Sequence, residues 1–244
     1  MDRNTCEQAI VLKTRKDGDS NRNLTLLSVD NGIYEIRAFR FRTSKTAPKA
    51  YLFQEGMFYL YNNPVKKQYS LKDVSLISSH DSIREDYEAI IVASLMSEFI
   101  LCSANDDMSN IYRLLATSLD LLEDSTIEKD IVLIQFFLRM IREHGLIENF
   151  SNCPVCNKKY SRDEILHFSQ TINVPCCSDC EQLPNIILQA KARKYLSYSL
   201  NMSFEDSILI KLNDTTIKRI KHYMLAWASI IMGHQFKSIG SQIN

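Results

Sequence analysis

Gly32-Ile-Tyr-Glu-Ile-Arg-Ala-Phe-Arg-Phe41 is the stretch on which the fold turns. Tyr34, Ile36 and Ala38 alternate onto one side of an extended strand, and then Phe39 and Phe41 move the apolar set to the other side. One regular strand cannot satisfy both faces, so a bulge is expected near Ala38. Four further strand-like runs flank it, at Gln8 to Lys13, Asn23 to Val29, Met57 to Tyr61 and Tyr69 to Ile77. Turn chemistry separates them at Asp17-Gly-Asp19, Asp30-Asn-Gly32 and Asn62-Asn-Pro64. Five short strands, one strongly bent, predict a small Greek-key barrel of the oligonucleotide-binding (OB) type within residues 1–80. A half-open SH3-like barrel is the alternative, ranked second on strand count.

After His80 the apolar period changes to that of helices. Ile83 to Leu101, Ser109 to Leu122 and Thr126 to Leu146 carry such faces, as do Pro184 to Leu200 and Thr215 to Met232. Asp81 or Ser82, Ser109 and Ser125 are expected N-caps, with Glu128 completing a capping box and Gly145 ending a helix. The expected class is therefore α+β: an N-terminal barrel over 1–80, followed by a helical domain over 81–244. No repeat and no Pro, Gly or Ser-rich linker separates the two, so they are expected to dock.

Composition narrows the function. Of 244 residues, 45% are apolar and 24% charged, which permits a sizeable core and excludes disorder or low complexity. The 29 basic and 29 acidic residues cancel, but unevenly. Residues 1–80 sum to +5, 81–150 to −9 and 151–244 to +4, so different surfaces are expected to meet different partners. The apolar runs are interrupted by Glu98, Gln135 and Arg139, and Ala9 to Leu12 is too short for a signal peptide. A cytoplasmic location is expected, where thiols stay reduced.

Cys153-Pro-Val-Cys156 is followed, after twenty residues, by Cys177-Ser-Asp-Cys180. Two C-x2-C knuckles supply four soft thiolates suited to a tetrahedral zinc ion. Cys153, Cys156, Cys177 and Cys180 are the expected ligands, with Cys176 the alternative to Cys177 at a less suitable spacing. Four thiolates close the coordination shell, so the zinc is expected to be structural rather than catalytic. Cys6 and Cys102 are expected to be ordinary buried residues. The deaminase, zinc-peptidase, P-loop, dinucleotide and serine-hydrolase patterns are all missing. The acidic pairs Glu85-Asp86 and Asp106-Asp107 are expected to be solvated or capping groups.

The other informative region is basic and aromatic. Arg37, Arg40, Arg42, Lys45 and Lys49 lie among Phe39, Phe41 and Tyr51, with Arg40 and Arg42 expected on one strand face. Cations neutralise phosphates with release of counterions, and exposed rings stack unpaired bases. The competing expectation is a solvated strand edge with core Phe residues. Two further basic clusters, at Lys191-Ala-Arg-Lys194 and Lys218-Arg219-Lys221-His222, fit either a phosphate track or plain helix faces.

Several segments together resemble the RecO family of DNA recombination and repair proteins. Glu7 to Arg15 and Gly18 to Leu27 resemble its first hairpin, Arg37 to Lys45 its basic segment, and Glu143 to Cys156 its lead into the first knuckle. Lys237-Ser238 is similar to its C-terminal lysine-serine pair. Ala38, Phe41 and Thr43 stand where the family usually has Gly, Arg and Lys, and Val174-Pro175 replaces a usual Gly pair. The resemblance implies a non-enzymatic mediator that binds single- and double-stranded DNA, anneals complementary strands and helps load RecA with RecR. It further implies contact with the C-terminal tail of single-strand DNA-binding protein (SSB). A zinc-stabilised protein adaptor that does not bind DNA is the alternative.

Overall fold

A computed structural model describes residues 3–103, 108–147, 150–169, 171–181, 186–233 and 235–236. It divides into two compact units, Met1–Asp124 and Ser125–Asn244. The first is built on β1 (Asn4–Asp17), β2 (Asn21–Ser28), β3 (Gly32–Ala38), β4 (Glu55–Asn63) and β5 (Gln68–Ser78). These close into a barrel in the order β1-β2-β3-β5-β4. Every pairing is antiparallel except β3 with β5, where Ile36 and Arg37 run parallel to Tyr69 and Ser70. Closure in that order is the OB arrangement and disposes of the SH3-like alternative.

The strand pattern works as alternation predicts. Ala9 and Val11, Leu24 and Leu26, Ile36 and Ala38, and Phe58 and Leu60 point inward, joined by Phe41, Ala50 and Leu71 in one buried cluster. Gly18 and Gly32 take the left-handed φ their turns need (63° and 67°). Gly56 is needed for a different reason. A Cβ there would stand 2.8 Å from the Ser75 carbonyl oxygen, where β4 and β5 slip register.

The bulge expected at Ala38 is absent, because β3 simply ends there. Arg40 adopts φ 51°, and the chain turns away through residues 39–43. Its backbone N–H donates to Asn21 Oδ1 (3.0 Å) and that of Arg42 to the Ser20 carbonyl (3.1 Å). These contacts satisfy amides that a continued strand would have paired. Phe41 therefore re-enters the core from a loop. The register shifts that bend the sheet occur at Val11/Lys13, Glu55/Gly56 and Tyr59/Leu60 instead.

Among the described residues, three helices complete the first unit: α1 (Asp81–Glu85), α2 (Tyr87–Cys102) and α3 (Ser109–Glu123). The single expected helix from Ile83 is broken at Asp86, whose extended backbone (φ −98°, ψ 118°) frees its carboxylate to accept from the Glu88 and Ala89 amides. Asp81 and Ser82 do not cap, since α1 starts after His80 without a side-chain cap, and Met108 rather than Ser109 precedes α3. α2 packs on β1 and α3 on β2. Tyr112 of α3 donates to the buried Glu55 carboxylate of β4 at 2.7 Å.

The second unit is organised around α4 (Lys129–Glu143), β6 (His167–Ser169), β7 (Val174–Cys176), α5 (Ala190–Ser199), α6 (Phe204–Ser207) and α7 (Asp214–Met232). Ile131 to Leu138 of α4 are buried in unbroken succession, as befits a central helix, and α7 is its main neighbour. The Ser125–Glu128 capping box is absent; α4 begins directly after an extended Glu128. Gly145, just past that helix, has φ 69° as expected of its end. Pro184 lies outside the described residues, and α5 starts at Ala190, because Leu188 instead bridges to Leu166.

Candidate functional site

The cysteine region begins with a tight turn. Asn157 N–H donates to the Cys153 carbonyl (2.8 Å) and Cys153 N–H to the Lys158 carbonyl (2.8 Å), while an Asn152–Lys159 bridge closes the loop. Asn157 holds φ 60°, a conformation Asn tolerates better than most residues. The second knuckle follows β7, which pairs with β6 from His167–Cys176 to Ser169–Val174. Cys180 N–H then donates to the Cys177 carbonyl at 3.1 Å. Two short antiparallel frames thus present their cysteines to each other.

The sulfurs of Cys153, Cys156, Cys177 and Cys180 all lie within 4.8 Å of one another. Cys153–Cys180, Cys156–Cys177 and Cys177–Cys180 are 3.8, 3.6 and 3.5 Å apart. A tetrahedral ion with sulfurs at about 2.3 Å would space them about 3.8 Å apart, so the cluster fits a structural metal without rearrangement. The geometry selects Cys177 over Cys176. Cys176 is buried outside the cluster, and burial pushes its thiol up to about 11. Burial acts in the same direction on Cys153, but amide donors from Cys177, Cys156 and Val155 outweigh it and bring the thiol down to about 6. The Cys177 amide lies 3.4 Å from the Cys153 sulfur. Amides directed at sulfur favour the thiolate a metal requires.

The surrounding protein is built to hold this loop. Trp227 of α7 is fully buried, donates its indole N–H to the Asn173 carbonyl (2.8 Å) and meets Phe168 edge-on at 6.1 Å. Arg193, from the second basic cluster, is buried as well. Its guanidinium donates to the carbonyls of Phe150 (3.3 Å), Ser161 (2.6 Å) and Arg162 (3.1 Å), and lies over Tyr160. Arg193 is thus a fastener of the cysteine region, while its neighbour Lys194 pairs with Asp163 at 3.2 Å. In the third cluster Lys221 bridges to Asp130 of α4 (2.7 Å), and Lys218, Arg219 and His222 are exposed. Cys6 and Cys102, expected inside, are both exposed.

On the barrel, Arg40, Arg42 and Lys45 are exposed and Arg37 and Lys49 half-buried. Arg40 and Arg42 do not share a strand face. They stand on the loop after β3, which Ser44 stiffens by accepting from the Thr46 and Ala47 amides (3.3 and 3.2 Å). Arg37, still on β3, pairs with Asp17 and covers Phe39 with its guanidinium at 5.1 Å. Phe39 and Tyr51 are 46% and 41% exposed, large for aromatic rings beside so many cations. Phe41 belongs to the core, with Arg22 stacked on it at 4.8 Å.

The register adds cations that a reading of the basic segment alone misses. Arg15 pairs across to Asn23, which pairs to Arg37, so Arg15 and Arg37 lie in one row on one face. Lys13 and Lys16 are also exposed on β1. The signal was available: Lys13-Thr-Arg-Lys16 precedes the predicted turn at Asp17-Gly-Asp19, and a hairpin closing there returns β2 alongside these residues.

Comparison with known proteins relates the chain to DNA repair proteins. A family profile described as "Recombination protein O C terminal" matches residues 84–238. A protein named DNA repair protein RecO in Caldanaerobacter subterraneus subsp. tengcongensis is 26% identical, covering 81% of each chain. One of the same name in Thermoanaerobacter is 24% identical over 95% of this chain and 94% of its own. Another, in Clostridium kluyveri, is 23% identical over 94% of this chain and 88% of its own. Among the described residues, no helix is long and apolar enough to cross a membrane.

Proposed function

This chain belongs to the RecO family of recombination and DNA repair proteins, and on that premise we propose that it is a non-enzymatic mediator of homologous recombination. Its role lies in DNA repair. The proposed activity is binding of single- and double-stranded DNA, annealing of complementary strands and, with RecR, loading of RecA onto SSB-coated strands in the cytoplasm. Residues 1–80 are assigned to DNA and 81–244 to the helical domain that carries motif 153–180. The C-terminal tail of SSB is assigned as a further partner. Lys237 and Ser238, part of the resemblance, lie outside the described residues.

One observation carries this reading: a closed OB-type barrel whose loop after β3 exposes Arg40, Arg42 and Lys45 beside the Phe39 and Tyr51 rings. Guanidinium and ammonium groups neutralise phosphates without reading base edges, and the rings accept any base. Annealing demands that combination, because strands gripped by their pairing edges could not meet. Arg37 and Lys49 are assigned to the same surface, Arg37 with part of its charge committed to Asp17. A zinc ion held by Cys153, Cys156, Cys177 and Cys180 would supply folding free energy to the knuckles, and its closed sulfur shell suits that role.

The test is single-strand binding over a salt series for wild type, Arg40→Ala and Lys45→Ala. Each substitution is expected to weaken binding for all sequences and to lower the salt slope by about 1. Acceleration of annealing between SSB-coated strands without ATP, fading as salt rises, is the matching activity. Affinity unchanged in both variants removes the assigned surface. No strand binding at low salt would instead favour the protein adaptor.

A further inference from the structure

Where β5 passes into α1, a buried histidine with a bare nitrogen faces two carboxylates that the proposed function does not use. His80 is completely buried, and its backbone sits in the left-handed region (φ 46°, ψ 40°). Arg84 supports that turn by donating to the carbonyls of Leu52 (2.9 Å) and Ser79 (2.8 Å) and by pairing with Asp81. The imidazole is thus aimed at α3. Its Nδ1 lies 3.1 Å from Glu123 Oε2 and 3.3 Å from Ser78 Oγ, and Glu123 is itself steadied by the Ser82 hydroxyl, which donates to Oε1 at 2.6 Å.

With the Nδ1 proton directed at Glu123, the ring's lone pair is on Nε2. That nitrogen is buried and has no hydrogen-bond partner among the described residues. The group it faces is Asp120, whose Oδ1 is 4.0 Å away. A hydrogen bond cannot span that gap, but two ligands each about 2.1 Å from one ion stand up to about 4.2 Å apart. All three residues have a ligand atom within 4.8 Å of each other, and Asp120 is 68% exposed, so the carboxylate side of the gap borders solvent, from which an ion shedding part of its water shell would enter. Partial shielding, with Glu55 and Glu123 nearby, raises the Asp120 carboxyl above its ordinary range against the pull of His80. An added cation relieves this crowding of negative charge.

We propose that His80 Nε2 and Asp120 bind a divalent first-row cation, water completing its shell, with Glu123 orienting the imidazole from behind. A carboxylate accepting from the far nitrogen of a ligating histidine is a recurrent arrangement that fixes the tautomer and raises the basicity of the ligand. The donor set is nitrogen and oxygen without thiolate, which suits Mn2+, Co2+, Ni2+ or Zn2+ and separates this site chemically from the four-cysteine cluster. Its effect is to tie the exit of the last barrel strand to α3, within the first compact unit. It would act as a metal-dependent clasp beneath the barrel.

Mn2+ is the probe of choice, because it disfavours sulfur ligands and its free ion gives an electron paramagnetic resonance signal that binding attenuates. The full chain, given a single equivalent of zinc for its higher-affinity cysteine cluster and then freed of unbound zinc by gel filtration, is titrated with Mn2+. One ion retained per chain is expected, with affinity about tenfold or more lower in Asp120→Asn and about 10–100-fold lower in Glu123→Gln. Asp120 is largely exposed, so its variant is expected to keep the wild-type circular dichroism. Equal binding by wild type and Asp120→Asn would overturn the proposal, as would no retained ion up to about 1 mM Mn2+, a concentration at which a useful site must fill.

Discussion

The barrel and the cysteine region solve the same problem by opposite means. The barrel closes five strands of seven to fourteen residues over a continuous apolar cluster from Ala9 to Leu71. The cysteine region has two strands of three residues each, isolated bridges, and four thiols at its centre. Alternating apolar residues let backbone ladders and burial support each other in the barrel. Among the described residues between Phe150 and Leu188 the strands are too short for such alternation, and ligand bonds to a metal are the expected source of order in a segment of that kind. The chain thus combines a barrel held by its own core with a cysteine region whose four clustered thiols suit a structural metal.

The sharpest way to break that comparison is to remove the metal. Chelation, or Cys156→Ser, is expected to unfold the knuckles, since structural zinc contributes on the order of 10 kcal/mol or more in small zinc modules. Trp227 is the only tryptophan in the chain and packs against this region, so its emission should shift to the red while the β-sheet circular dichroism persists. An unmoved emission would mean that the region holds itself. pH gives the same contrast. The Cys153 thiol is held down to about 6 and is already a thiolate at neutral pH, whereas Cys177 is raised by burial and Cys180 by sharing hydrogen bonds with the Cys156 and Cys177 sulfurs. The latter two must release protons to bind. Metal loading therefore weakens as pH falls, because each proton taken up by a thiolate is a ligand lost to the ion, measurable as released zinc.

The reciprocal experiment strikes the barrel. Phe58→Ala empties a fully buried position in its core and is expected to cost about 3–5 kcal/mol in denaturant unfolding. Metal content should be unchanged if the two regions stabilise themselves separately, and a loss of zinc would show that the knuckles lean on the barrel. The smallest effect expected is that of Asp86→Ala, which removes the cap of α2 at a cost of about 1 kcal/mol. Urea midpoints would reveal it, and no change would mean that water replaces the carboxylate at the freed amides.

Much of this was legible from residue order. The knuckle spacing marked four ligands because two C-x2-C turns need only local backbone geometry to bring their sulfurs together. The five strands were legible because each side chain reports its own face. The loop at Phe39 to Thr43 was not, since the left-handed turn at Arg40 is held by Asn21 Oδ1, which accepts from the Arg40 amide, and by the Ser20 carbonyl, which accepts from that of Arg42, both on a neighbouring hairpin. Arg193 misled for a similar reason. Its charge suggested either a phosphate track or a solvated helix face, yet three carbonyls of the cysteine region surround it. Cys6 and Cys102 were expected inside on residue type, and each lies on the outer side of its element.

By itself, then, the sequence determined the elements that short-range periodicity and spacing carry: the five strands of the barrel, the helices that follow them in the chain, and the cysteine quartet with thiolates suited to a soft metal. Tertiary structure alone decided which cations face solvent, that Asp86 divides a helix, and that His80 turns a bare nitrogen toward Asp120. The physical reason is the range of the forces involved. Backbone alternation and ligand turns are set within a few residues, whereas burial, the partner of a charge and the aim of an imidazole depend on atoms brought from distant parts of the chain.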